Sequence, residues 1–164
     1  MSLLKIIKYG DPLLRQKCQE VGEMNLEVEM LARAMLEIMR QEKGIGLAAP
    51  QVGDKRRIII ADIGQRSFSL INPRIIGKSK ESQYDYEGCL SLPKVVLKIK
   101  RAREIEIEGY LLEQKQRVKI KADGLLARVF QHEIDHLDGV LITDRVSYFK
   151  KLKAVRKLKR VLRV

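Results

Sequence analysis

Between residues 94 and 121 the apolar side chains Val96, Ile105, Ile107, Val118 and Ile120 follow a period of two, most of them between charged neighbours. That period belongs to extended chain. Charge on the off-beat leaves one face of the sheet in water, which favours antiparallel pairing. The other face must be covered by segments with a different period. Across residues 25–43, Val28, Leu31, Met35, Ile38 and Met39 recur at helical spacing. Asn25 is placed to cap that helix, Glu27 and Glu29 suit its first turn, and Gly44 can end it. "RRIIIADI" reads as a buried strand, and "SFSLINPRII" as a strand interrupted at Pro73. "EGYLLEQKQ" reads as the connection of a hairpin. A second helix is expected from Asp123, as its cap, to Gly139. A third begins at Ser147, with Leu152, Val155, Leu158 and Leu162 on its apolar side. Helices kept apart from meandering strands argue for an α+β fold.

The chain has 164 residues, enough for one sizeable core, and is 45% hydrophobic and 33% charged. Its opening, "MSLLKIIKYGDP", holds a short apolar patch broken by Lys5 and no signal-peptide core. No apolar run reaches membrane-spanning length. The expected compartment is therefore the cytoplasm, with Cys18 and Cys89 as reduced thiols. The net charge is +12, and the last 18 residues carry eight Lys or Arg and no acid. This basic tail suggests an anionic partner such as RNA or a membrane surface.

The two histidines, His132 and His136, lie in "QHEIDHLDG". On a helix, residues four apart share a face, so both imidazoles can grip one metal ion, with Glu133 beside it. Leu125 and Val129 fall on the same stripe and give the ion an apolar wall, as an enzyme for a hydrophobic side chain needs. A third ligand must come from elsewhere: Cys18, Cys89 or a carboxylate. Cys89 lies in "YDYEGCLSLP", where Gly88 allows a tight backbone. Cys18 reads as a small core residue. Glu87 and Asp135 are near the ligands in sequence, and Arg101 is a possible ion-pair partner for Asp135. "GIGLAAPQVG" lacks the spacing of a phosphate loop and reads instead as backbone brought close to a ligand, with Gln51 as a neutral donor.

Taken together, "GIGLAAPQ", "EGCLS" and "HEIDH", in this order, resemble the three signature motifs of peptide deformylases, and "YGDPLLR" resembles the usual opening of that family. The resemblance covers residues 8–145. It implies antiparallel sheets packed around a central helix that carries H-E-x-x-H, with an N-terminal helix and a basic C-terminal helix. Residues 1–146 would form the catalytic domain, and 147–164 a basic helix packed on it. The implied reaction removes the formyl group from the initiator methionine of nascent polypeptides. The implied metal ligands are Cys89, His132 and His136, and Glu133 is the implied general acid/base. Gln51 and the backbone N–H of Leu90 would hold the oxyanion. Gly44, Ile45, Gly46, Gly88, Leu125 and Val129 would contact substrate. The usual metal of the family is Fe²⁺, with Zn²⁺, Ni²⁺ or Co²⁺ as substitutes. "KVVLKIK" is expected to form one side of the substrate groove, and the basic tail is expected to meet ribosomal RNA.

Two other readings fit parts of the sequence. A zinc peptidase with H-E-x-x-H takes a third His or a Glu as ligand, and this chain has no third His. A basic RNA-binding protein with a structural metal would need a fourth protein ligand, which Cys18 would have to supply.

Overall fold

A computed structural model describes residues 4–64 and 66–163. The alternating strands and the helices combine as α+β. β1 (Gly46–Ala48), β2 (Ile58–Asp62), β3 (Ser67–Lys78), β6 (Glu104–Leu111) and β7 (Gln116–Asp123) form an antiparallel sheet in the order β1-β2-β3-β6-β7. β4 (Ser82–Glu87) and β5 (Leu97–Ala102) form a separate two-stranded ribbon. The helices are α1 (Leu26–Gln41), α2 (Gly124–Leu137) and α3 (Tyr148–Leu162).

The isoleucine run of β2 is apolar on both faces because both are covered. Ile58 and Ile60 pack with Val28, Ala32, Met35 and Met39 of α1. Ile59 and Ala61 turn the other way, to Val129, Phe130, Ile134 and Leu137 of α2. A third cluster joins Leu14, Leu92, Val95 and Ile99 to Ala154 and Leu158 of α3, so the basic helix docks through its apolar side. α2 also reaches the ribbon, since Gln131 bonds both backbone groups of Ala102.

Several local expectations shift. Asn25 caps α1 by accepting from Val28 N–H at 3.1 Å, but Lys43, at φ 56°, takes the left-handed turn expected of Gly44. β3 is not broken at Pro73. Its pairing with β6 slips between Ile71 and Arg74, a bulge that absorbs the missing proline N–H. Asn72, at φ 53°, anchors that bulge by bonding Val21 N–H and C=O. The connection of the β6–β7 hairpin is only Leu112–Lys115, since the preceding residues still belong to β6 and Gln116 already begins β7. Asp123 precedes α2 without a side-chain cap. Gly139 does follow α2, at φ 74°, and a β-carbon there would run into the backbone of Arg15, 2.5 Å from its carbonyl oxygen.

Candidate metal centre and substrate cleft

Two elements bring three soft or borderline donors together. The turn after β4 carries Cys89, and α2 carries His132 and His136 one turn apart. Cys89 Sγ lies 3.2 Å from His136 Nε2, which lies 3.2 Å from His132 Nε2, and the three donor atoms are all within 4.8 Å of one another. Cys18 is not in this cluster. It is buried beside Leu137, where loss of solvent pushes its thiol up to about 11, as suits an inert core cysteine.

The cluster is held from behind by a buried ionic network. His132 Nδ1 donates to Glu87 Oε2 at 2.9 Å, which fixes the ring and turns Nε2 towards the other donors. Glu87 also accepts from Arg101 at 2.9 Å and from Arg128 Nη1 at 2.7 Å. Arg101 Nη1 continues to Asp135 Oδ2 at 2.5 Å, and Asp135 also receives Arg145. Burial alone would raise the Glu87 pKa, but bonds from His132 and Arg101 hold it well below the ordinary carboxylate range.

Next to His132 on α2, Glu133 is 4% exposed, and its Oε2 has no hydrogen-bond partner among the described residues. Burial pushes its carboxyl up to about 7, against the pull of His132. Gln51 is fixed on both sides of its amide: Oε1 accepts from Ala48 N–H at 2.8 Å, and Nε2 donates to Ser91 Oγ at 3.1 Å. Nε2 also lies 3.5 Å from Cys89 Sγ. Among the described residues, no backbone carbonyl takes up the Leu90 N–H.

These groups line one cleft of about 400 Å³. Gly44, Ile45 and Gly46 form one wall, Gly88 and Leu90 another, and Leu125 and Val129 the α2 side. The "KVVLKIK" stretch supplies Lys94, Val95 and Val96. His136, 1% exposed, lies behind the cleft surface. Gly46 passes so close to α2 that a β-carbon would overlap Glu133 Oε1 and lie 2.9 Å from Val129 Cγ1. Sequence reasoning missed Ser91, Arg128 and Tyr86. Ser91 and Arg128 act through partners distant in sequence, and Tyr86 lies in an exposed strand with no apolar rhythm.

The donor set fits a divalent transition metal. A thiolate with two imidazoles suits Fe²⁺, Zn²⁺, Ni²⁺ or Co²⁺ better than the hard ions Mg²⁺ or Ca²⁺. Two ring nitrogens 3.2 Å apart, facing a sulfur, need a cation or proton between them. His132 is held well above its usual range because Glu133, Cys89 and Glu87 outweigh its burial. His136 is pushed well below by burial and by His132. Three protein donors also leave a position open, as catalytic sites do.

A buried carboxylate beside such a cluster, under a largely apolar cleft, defines the class as a metal-dependent hydrolase. The polypeptide deformylase family model matches residues 3–152. Peptide deformylase of Dictyoglomus thermophilum is 50% identical over 141 residues, covering 86% of this chain and 91% of that protein. The Thermotoga maritima enzyme is 38% identical over 161 residues, 98% of each chain. Among solved structures, Ehrlichia chaffeensis peptide deformylase in complex with actinonin superposes with a TM-score of 0.94 at 34% identity, covering all of both chains. The chain belongs to the polypeptide deformylase family.

Proposed function

We propose that the cleft binds an N-formylmethionyl peptide and hydrolyses its formamide, releasing formate and a free methionyl amine. The observation that carries this is the convergence of Cys89, His132 and His136 beside the buried carboxylate of Glu133, whose Oε2 has no hydrogen-bond partner among the described residues. Cys89, His132 and His136 would hold one divalent cation, Fe²⁺ natively, with Zn²⁺, Ni²⁺ or Co²⁺ as substitutes. When bound, the cation supplies Lewis acidity at the scissile formyl group.

The protein's own groups do the rest. Leu125 and Val129 offer an apolar slot to the methionine side chain. Gly44, Ile45, Gly46 and Gly88 present backbone to the peptide, and Gly46 does so only because it lacks a β-carbon. Glu133 takes a proton from the attacking water as the new C–O bond forms, then delivers it to the nitrogen as the C–N bond breaks. A carboxyl with a pKa near 7 is poised for both transfers. The fixed amide of Gln51 and the free N–H of Leu90 donate to the developing oxyanion. Glu87 orients His132 and so acts through a ligand.

Residues 1–146 work as the catalytic domain, with the helix from 147 packed on it. No helix in the described residues is long and apolar enough to cross a membrane. The enzyme would act in the cytoplasm, where its nascent-peptide substrates are made. Lys153, Arg156, Lys157 and Arg160 are exposed on α3, which supports contact with ribosomal RNA near the emerging chain. Reversing these four charges should abolish salt-sensitive ribosome binding, and unchanged binding would remove this role. The activity is tested by offering formyl-Met-Ala-Ser and an unformylated peptide to the metal-loaded protein. Release of formate without internal cleavage is expected. Internal cleavage would point to a peptidase.

A further inference from the structure

The outer face of the β4–β5 ribbon carries a pattern that the cleft chemistry does not use. Tyr84 pairs with Lys100 and Tyr86 with Lys98 across the ribbon. Alternation puts these four side chains on one face and sends Glu87, Ile99 and Arg101 to the buried one. Tyr84 and Tyr86 are 62% and 67% exposed, and each opposing ammonium lies 5.9 Å from its ring centroid. The result is a two-rung ladder of aromatic rings and cations. Its first rung stands at the cleft mouth, because Tyr86 lines the cleft together with Lys43, Lys94 and Val96.

We propose that this ladder binds the downstream part of the substrate, as an extended peptide with acidic side chains at alternate positions beyond its second residue. The proposal rests on the deformylase reading of the cleft. Continuity selects this occupant, since Tyr86, the ladder's first rung, lines the same cleft that would take the peptide's first residue. Charge agrees. Lys43 and Lys94 at the rim lead to Lys98 and Lys100, while Glu87 and Glu133, the carboxylates among the described cleft-lining residues, are buried. Asp85 alternates to the opposite side of β4 from the tyrosines. Spacing agrees too: rungs two residues apart are separated by about 7 Å, the repeat of alternate side chains in an extended peptide. Exposed charge pairs contribute modestly, so the ladder tunes substrate preference and is not required for chemistry.

The test compares kcat/KM for formyl-Met-Ala-Asp-Ala-Asp and formyl-Met-Ala-Lys-Ala-Lys, each normalised to formyl-Met-Ala. The metal-loaded enzyme is measured beside a Lys98→Glu, Lys100→Glu double variant. The unaltered enzyme should favour the acidic peptide by about fivefold, mainly through KM, and added salt should shrink the difference. The double variant should favour the basic peptide. Equal values for the two peptides, or an acidic preference kept by the double variant, would overturn the proposal. Inhibition by oligouridylate that the double variant abolishes, with no peptide preference, would overturn it in favour of a nucleic-acid surface. A failure to turn over formyl-Met-Ala itself would instead strike the deformylase reading, and the ladder proposal with it.

Discussion

A methyl group on Gly46 has nowhere to go, because Glu133 Oε1 and Val129 Cγ1 occupy its place. Gly46→Ala should therefore displace the Glu133 carboxylate, the proposed proton shuttle. Misplacement on the scale of an ångström costs about 10²-fold, so kcat should fall by about that much while metal content stays near normal. Glu133→Gln separates proton transfer from ligation more cleanly. The amide fills the same space but cannot shuttle a proton, so kcat should drop by about 10²–10⁴ with the metal retained. His132→Ala should instead release the metal, as elemental analysis of both variants will show. At this scale much was legible. Histidines four apart, a glutamate beside the first and a cysteine after a glycine are visible as letters. The close approach of Gly46 to α2 was not, because it depends on how β1 meets a helix some 80 residues later. Ser91 escaped for a similar reason, since it acts only by holding Gln51.

Among the elements, α2 is tied to the ribbon by charge as well as by packing. Glu87 at the end of β4 joins Arg101 of β5 to Arg128 and His132 of α2. Glu87→Ala would leave two buried guanidinium groups without their shared carboxylate. Removing one member of such a group costs about 3–5 kcal/mol, to be read from urea unfolding. Leu158→Ala tests the docking of α3. Leu158 is fully buried among Leu14, Leu92 and Ile99, and the change should cost about 2–5 kcal/mol. α1, β6 and β7 were readable because one face of each meets a core, and β2 because both of its faces do, which makes it an unbroken apolar run. β4 was not, because five of its six residues face solvent and show no apolar alternation. Pro73 misled for a physical reason: a proline in a central strand normally stops pairing, but here the slip in register accommodates it.

At the scale of the molecule, Asp144 links distant parts of the chain. It pairs with Arg15 near the N-terminus and with Lys151 of α3 at 2.6 Å. Burial works to raise its pKa, but the bonds from Lys151 and Arg15 hold it below the ordinary 3.8. A carboxylate with a lowered folded pKa stabilises fully above its unfolded value and loses that contribution as pH falls through the folded one. The difference in Tm between the protein and Asp144→Asn should thus be greatest above pH ~4 and fade in stronger acid. Deformylation as proposed needs one assembly: Cys89, His132 and His136 holding a cation where a formyl group can reach Glu133. Its most direct test is anaerobic titration of the metal-stripped protein with Fe²⁺, Ni²⁺ or Co²⁺, following formate release from formyl-Met-Ala-Ser. Activity should rise with added metal and level off at one equivalent per chain. Full metal loading with no formate from any of the three ions would show that this assembly does not deformylate peptides.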